Sequence, residues 1–419
     1  MPVAAGRLYA DLDYDGINTG NGERYVPFDR FAGRAGVQTY GPTRLRVEGF
    51  GLREGYGMVA LAPEVRRVRS HYGGAGALEG VGAVPFGLAL RYSFSRVAPA
   101  DALDELALGE ASEGRVSAEA RLGLFGGRLR LDAAGSTAGL DGGVGGDERH
   151  GAVGAALALG RDDGARLVAG VRALAYRASE ANGLGQSTTF GPVVGLGLPL
   201  GPALRVFATN EPRLRTRSLH ELFSDNPFAV PDALVAPDVR PLDAEAGLEL
   251  RRGPLRARAF VLATYATNEL HFQSSAGGLY SAVYAGTRTA GLAADATLTF
   301  GRGASVSAAF ALRDGALTDG GGTLPFYAPL VGRLGAQVPF DGARGRLGLA
   351  AYAEGARPTD PTGEFTAPAW AQLDLDARYT LSGPLALVVR AERLAGTAER
   401  WPGYPYAPYT VLGGLRLAW

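Results

Sequence analysis

The chain closes on Tyr406-Ala-Pro-Tyr-Thr-Val-Leu-Gly-Gly-Leu-Arg-Leu-Ala-Trp419, and the reading of this stretch decides the fold. Tyr409, Val411, Leu415, Leu417 and Trp419 share one face at a period of two. Thr410, Gly414 and Arg416 share the other, with Leu412 as the one apolar residue among them. A period of two is that of a strand, whose successive side chains point to opposite sides. The stretch is therefore an amphipathic strand that ends on an aromatic residue.

The same rhythm runs back through the chain. Arg115 to Leu124 sets Val116, Ala118, Ala120, Leu122 and Leu124 against Arg115, Ser117, Glu119 and Arg121. Gly291 to Phe300 sets Leu292, Ala294, Ala296, Leu298 and Phe300 against Asp295, Thr297 and Thr299. Ala371 to Leu381 sets Leu373, Leu375, Ala377 and Tyr379 against Gln372, Asp374, Asp376 and Arg378. Helical patterns of comparable length are lacking. Many segments reach ten residues or more, whereas strands of globular domains average about 5–6 and a tilted membrane-crossing strand needs about 9–11.

The connections are of two kinds. Gly126-Gly127, Arg161 to Gly164, Gly201-Pro202, Gly253-Pro254, Gly301 to Gly303, Asp341-Gly342 and Ser382-Gly383 are tight. Between them lie the longer segments 98–113, 139–148, 179–187, 214–239, 272–282, 314–325, 356–366 and 395–405. Short turns at one end and long loops at the other describe a large antiparallel transmembrane β-barrel of about 20–22 strands, with the long loops outside the cell. The pattern is least regular before residue 84; Gly57 to Gly80 alternates poorly and crowds Arg66, Arg67 and Arg69 together.

Composition narrows the chemistry. All 42 Lys+Arg residues are arginine, and they balance 42 acids, so no charge excess points to nucleic acid. The 63 glycines are dispersed rather than periodic, which excludes a collagen-like chain. With no cysteine there is no disulfide, thiolate nucleophile or Cys-based metal site. His71, His150, His220 and His271 are scattered, none at a metal-binding spacing from another. No cofactor or metal site is expected. No apolar run approaches the roughly 18 residues of a transmembrane helix.

Charges sit on the face opposite the apolar one: Arg115, Glu119, Arg121, Arg128, Arg130, Asp132, Glu245, Glu249, Arg251, Arg256, Arg258, Asp374, Asp376 and Arg378. An Arg facing lipid at mid-depth costs about 2–4 kcal/mol. These side chains must face a wet lumen, where Arg and Asp/Glu can pair across neighbouring strands. Aromatics gather near strand ends, among them Tyr280, Phe326, Tyr327, Trp370, Tyr379, Trp401 and Trp419, as headgroup-level girdles require.

The closing strand resembles the C-terminal signal of bacterial outer-membrane barrels. The resemblance implies that the barrel-assembly machinery reads it, with Trp419 as its last residue. From residue 203 onward the chain resembles the TonB-dependent outer-membrane receptors. Phe207-Ala-Thr-Asn-Glu-Pro-Arg-Leu-Arg-Thr-Arg-Ser-Leu-His-Glu-Leu-Phe223 is similar to a strand ending in "F-R-x-P-S-L-x-E-L-F", with Arg217 in place of the Pro. Pro237 to Leu250 resembles "N-P-D-L-K-P-E…E-x-G", and Phe260 to Phe272 an aromatic strand ending in "D-I-x-D-x-I". Tyr284 to Gly291 is similar to "N-x-G-x-A-x-x-x-G", one residue shorter and without the Asn. Leu324 to Pro329 resembles "I-P-x-x-P". Ala391-Glu-Arg-Leu394, Gly403-Tyr-Pro405 and the last strand resemble "V-x-N-L…G-Y-P…G-L-R-x-x-F", with Arg393 where Asn is usual. The part before residue 203 matches in strand rhythm alone.

What the resemblance implies is a receptor of the outer membrane, not an enzyme, that takes up a scarce solute such as a metal chelate, a cofactor or an oligosaccharide. Its partners would be outer-membrane lipid, the assembly machinery, the solute and, if a plug is supplied, the TonB complex. Loops 214–239, 272–282, 314–325 and 395–405 would contact the solute, with Tyr280, Phe326, Tyr327 and Trp401 in or beside them. The family's N-terminal plug and a signal peptide are not visible, so residues 1–419 read as the barrel domain of a longer receptor. A plugless, porin-like passive channel is the alternative. An enzyme would need His220 and the nearby Ser218 on loop 214–239. Asp141 to Glu148 is a single Gly/Asp-rich segment and reads as a surface loop rather than a stacked calcium repeat. Loop 98–113 is acidic through Asp101, Asp104, Glu105, Glu110 and Glu113 and reads as a solvated loop.

Overall fold

The computed structural model describes residues 6–17, 28–40, 42–58, 62–80, 85–99, 110–124, 127–141, 146–160, 164–178, 186–215, 238–274, 280–383, 385–396, 399–401, 404–405 and 410–418. Twenty strands form one sheet. The first ten are β1 (Gly6–Ile17), β2 (Phe28–Thr39), β3 (Thr43–Met58), β4 (Ala62–Gly80), β5 (Phe86–Pro99), β6 (Glu110–Leu124), β7 (Gly127–Asp141), β8 (Gly146–Gly160), β9 (Arg166–Ala178) and β10 (Gln186–Pro199). The second ten are β11 (Leu204–Asn210), β12 (Leu242–Arg252), β13 (Leu255–Ser274), β14 (Tyr280–Thr299), β15 (Ser305–Leu317), β16 (Leu330–Phe340), β17 (Gly345–Glu354), β18 (Trp370–Ser382), β19 (Leu385–Gly396) and β20 (Thr410–Ala418). Each pairs antiparallel with the next, and the sheet closes where Asp11, Leu12, Asp13 and Gly16 of β1 meet Ala418, Leu417, Arg416 and Gly413 of β20. Closure leaves neither β1 nor β20 as a free edge.

The molecule is inside-out relative to a soluble core. Val153, Phe190, Leu292 and Leu334 are 63%, 68%, 57% and 60% exposed, and all point away from the barrel axis. Val411 and Leu415 of the closing strand are exposed on this outward face too. Such a continuous apolar surface is stable only in a non-aqueous solvent. The inward residues alternate with them and carry the charges. Among the described residues no helix is long and apolar enough to cross a membrane, so crossing falls to the strands.

Several expectations are corrected. Within the irregular stretch Gly57 to Gly80, Gly57 and Met58 end β3 and residues 62–80 form a single strand, β4. Its Arg69 points inward and bonds Glu54 of β3 at 3.1 Å, both largely buried. The acidic segment 98–113 is shorter as a loop, since β6 begins at Glu110. Glu113 is a buried inner-wall residue bonded to Arg115 at 2.5 Å. Many inner-wall ion pairs run along a strand rather than across it: Arg46 with Glu48, Arg121 with Glu119, Arg251 with Glu249 and Arg390 with Glu392. Residues i and i+2 share a face, and the long Arg stem reaches its neighbour without leaving the wall. Arg258 with Asp295 is a true cross-strand pair at 2.8 Å.

At the short-turn end the connections are tight, with Gly253 at φ +56° in the β12–β13 turn. Tyr379 donates its hydroxyl to Asp341 at 2.5 Å and stacks on Phe340 there. Arg393 has φ +57° in β19, where the register with β18 shifts between Leu373 and Leu375. Its N–H bonds the Asp374 carboxylate at 3.0 Å. Asn, usual at this place in the resembled motif, is among the side chains that best accept a left-handed backbone.

Placing a charge on the outward face tests the orientation. Val153→Arg is expected to destabilise the barrel by about 2–4 kcal/mol in urea titrations of vesicle-inserted protein. An effect near zero would mean that Val153 does not face lipid.

Candidate functional site: an inward shelf at the mouth of the barrel

The wall has an opening on the long-loop side. β10 runs up to Gln186 but pairs with β11 only from Val194 downward, because β11 ends at Asn210. β12 starts at Leu242 opposite Tyr265, while β13 continues to Ser274. The upper parts of β10 and β13 therefore lack these neighbours. The described ends of the segment between β11 and β12 turn inward here, with Val239 against Ala152, Leu174 and Tyr176 of the inner wall. These ends pair as a short ribbon, Arg213–Arg215 with Asp238–Arg240.

Local chemistry explains why the chain leaves the wall here. Pro212 offers no N–H to continue a ladder. It is fully buried against Gly191 of β10, where a Cβ would lie 2.4 Å from Pro212 Cγ. Asn210 ties the exit on both sides: its amide donates to the Pro192 carbonyl at 2.6 Å and its oxygen accepts from Asp243 N–H at 3.0 Å.

Ion pairs hold the shelf from both flanks. Glu211 accepts from Arg130 of β7 at 2.8 Å and from Arg172 of β9 at 3.4 Å. Arg172 also donates to the Pro212 carbonyl at 3.1 Å and pairs with Asp132. The Arg172–Asp132 pair crosses over β8 at Gly154, where a Cβ would come within 2.8 Å of the Asp132 carboxylate. On the other flank Arg213 pairs with Asp243 at 3.0 Å, and Arg240 with Glu269 at 2.9 Å. Glu269 in turn accepts from Thr287, which is 1% exposed. Between the flanks Val239 is buried with Ala152, Leu174 and Tyr176. A hydrophobic contact thus seats the ribbon while charges on β7, β9, β12 and β13 fix its position.

Beside the shelf, loops 318–329 and 355–369 pack on each other. Thr323 N–H bonds Pro361 O at 2.9 Å and Phe326 N–H bonds Pro358 O at 2.6 Å. Leu324, Ala328, Arg357 and Ala367 are buried. Asp360 accepts from Thr362 N–H at 3.0 Å, from the Thr362 hydroxyl and from Phe365 N–H at 2.8 Å. Burial, the largest single influence, opposes its charge, but these donors together outweigh it and hold its pKa below the ordinary 3.8.

The residues expected from sequence to contact solute fall in different settings. Tyr327 is half-buried under the Arg313 guanidinium, 4.2 Å from the ring centroid, and lies against Gly315. Phe326 is half-buried with φ +57°. Tyr280 begins β14, and Trp401 belongs to a short ribbon, Glu399–Trp401 with Tyr404–Pro405. Trp419, Ser218, His220 and most of loop 214–239 lie outside the described residues. The structure brings Phe326 and Tyr327 together on one loop and places Tyr280 and Trp401 on separate elements. Sequence reasoning placed Arg130 and Asp132 in the wall, but did not connect them to Glu211 and Arg172. Asn210-Glu211-Pro212 at a strand end was the signal available. Among the described residues no group of three or more acidic or His side chains is arranged to hold a metal ion.

Glu211→Gln is expected to cost about 1–2 kcal/mol, the partial exposure of Glu211 keeping the loss below that of a buried pair. Hydrogen exchange at Asn210, Glu211 and Arg213 should rise, and unchanged exchange would detach the shelf from this network. Because the Asp360 pKa is depressed, its contribution is full above the unfolded-state value of about 3.9 and is lost as pH falls through the folded value. Protection of the Phe365 amide, corrected for intrinsic exchange, should therefore fall below about pH 4 and lose this dependence in Asp360→Asn.

Comparison with known proteins agrees with this architecture. Solved structures with the same fold include the ferric-catecholate import receptor Fiu of E. coli K12, with TM-score 0.64, 12% identity and coverage of 100% of this chain and 82% of that one. The ferric preacinetobactin receptor BauA of Acinetobacter baumannii gives 0.65 and 14%, covering 99% and 80%. The FrpB iron transporter of Neisseria meningitidis gives 0.67 and 10%, covering 100% and 83%. A search of curated protein sequences finds no match. The family model described as TonB dependent receptor-like, beta-barrel matches residues 7–394. An inside-out closed barrel with a shelf folded into its mouth, matched over nearly its whole length, belongs to the TonB-dependent receptor β-barrel family, a family of bacterial outer-membrane transport proteins.

Proposed function

We propose that this protein is a gated receptor that captures a scarce, bulky solute, a metal chelate before a cofactor or an oligosaccharide, and passes it inward with energy from the TonB complex. The observation that carries this reading is the shelf. Both described ends of the segment between β11 and β12 are pinned to the inner wall, Glu211 by Arg130 and Arg240 by Glu269. That suits binding a solute there better than free diffusion past it. The names of Fiu, BauA and FrpB, each an iron or ferric-chelate receptor or transporter, favour a metal chelate as cargo.

The inner wall has a surface suited to such a cargo. Arg91 lies over Phe50 at 5.5 Å and Arg333 over Tyr352 at 5.2 Å, each an exposed guanidinium on an aromatic ring. An anionic chelate with planar groups meets both charge and stacking there. The lumen of a barrel this size is wider than its own side chains can fill. We therefore assign the gating role to a plug domain seated in it, as in the rest of the family. The barrel-assembly machinery is the assigned partner during insertion, reading the strand that ends at Trp419. The loops that hold Tyr280, Phe326, Tyr327 and Trp401 are the proposed outer contacts for solute.

The test uses a strain lacking its other ferric-chelate receptors and producing this protein from its own locus. Uptake of radiolabelled ferric catecholate is expected to depend on this protein and to fall to background without TonB. Uptake that persists without TonB, with a steady conductance in planar bilayers, would replace the receptor with a passive channel.

A further inference from the structure

The outward surface carries a feature that solute transport does not use. Arg149 of β8 and Arg177 of β9 stand directly opposite each other across the ladder. On β8, His150, Ala152, Gly154 and Ala156 are buried inward, so Arg149 shares the outward face with Val153. On β9, Leu174 and Tyr176 point inward, so Arg177 shares its face with exposed Val171. Both arginines are exposed, and neither pairs with a described acid. Like charges directly opposite on a sheet repel, and this pair stands on the outward face, away from the inner-wall acids that hold Arg121 and Arg251. Among the described residues the juxtaposition is therefore a site of unmet positive charge.

Its level is set by the apolar band. Residues 149–159 of β8 and 167–177 of β9 end at Arg149 and Arg177 on the long-loop side, with Leu159 and Leu167 at the other end. A span of about 9–11 residues is one membrane crossing, which puts both guanidinium groups at the outer headgroup level. Gln186 faces Arg177 from β10, and Thr188 lies beside it on the same face. Arg149, Gly151, Ala175, Arg177, Gln186 and Thr188 line a cavity of about 550 Å³.

A second groove of about 790 Å³ begins at Arg149 and runs over Gly135 and Gly114 to Val116, Tyr92 and Phe94. Packing does not demand these glycines. A Cβ at Gly114, Gly135 or Gly151 would meet nothing nearer than 3.6, 3.5 and 3.9 Å. What the missing side chains do is leave a strip of bare backbone beside two aromatic rings, wide enough for an alkyl chain.

We propose that this face binds one lipid of the outer leaflet that carries a phosphate on its head group. The phosphate sits between Arg149 and Arg177, where guanidinium forks match phosphate oxygens. Gln186 and Thr188 supply further donors, and an acyl chain lies along the glycine groove. The charge pair selects an anion and the adjoining apolar strip selects an amphiphile.

The experiment is native mass spectrometry of the detergent-solubilised protein incubated with diphosphoryl lipid A, with phosphatidylcholine as the uncharged-head comparison. One lipid A is expected to stay bound at collision energies that strip phosphatidylcholine. Arg149→Gln with Arg177→Gln should lower its occupancy at least tenfold. Gly135→Leu, which leaves both arginines in place, should lower it severalfold by filling the groove. Folding of each variant is checked by heat-modifiable gel mobility. If the arginine variant misfolds, the glycine variant and the choice between the two lipids still decide. Equal retention of the two lipids by the wild type, or lipid A retention unchanged in the variants, would overturn the proposal. Displacement by inorganic phosphate alone, with Gly135→Leu silent, would reduce the site to a free-anion site and overturn it as well.

Discussion

Hydrocarbon offers no hydrogen-bond partner, and the rest of the structure follows from that constraint. Every backbone N–H and C=O within the bilayer must be paired by the protein itself. A sheet meets the demand only by closing. The contact between Asp11–Gly16 and Gly413–Ala418 is where this one closes. Once closed, the sheet has an outside that must be apolar and an inside that need not be. Exposed Val153 and Phe190 and the inward Arg–Glu pairs are two consequences of that single requirement.

The inner wall uses its charges in two ways. Along β6, β12 and β19 they pair within a strand, which keeps guanidinium and carboxylate flat against the wall. At β7, β9 and β13 they reach instead for a separate segment of chain and hold it in the lumen. The difference lies in what stands opposite. Gly154 clears the way for Arg172 to reach Asp132, and Gly191 for Pro212 to lie on β10. Small residues on the inner face therefore decide where the wall is smooth and where it carries the shelf.

The resembled motifs take on physical content in the fold. Asn210, Glu211 and Pro212 are the exit from the wall; Val239 and Arg240 are the returning arm. Gly286 lies under Thr318, and its N–H bonds Asp319, which ties β14 to the loop holding Phe326 and Tyr327. Arg393 occupies a left-handed position that the usual Asn would accept more readily. Segments far apart in sequence thus meet around one mouth.

The sequence by itself determined the strands, their inward and outward faces and the end that bears long loops. Each of these rests on side-chain alternation or turn composition, which are properties of neighbouring residues. It did not reveal that β4 is one strand, since crowded arginines mask the period, or that Glu113 belongs to the wall. The tertiary structure alone decided that β11 stops at Asn210 and that Glu211 is shared by Arg130 and Arg172. It alone set Arg149 beside Arg177. These depend on register between strands and on contacts across tens of residues, and period-two patterning carries no information about either.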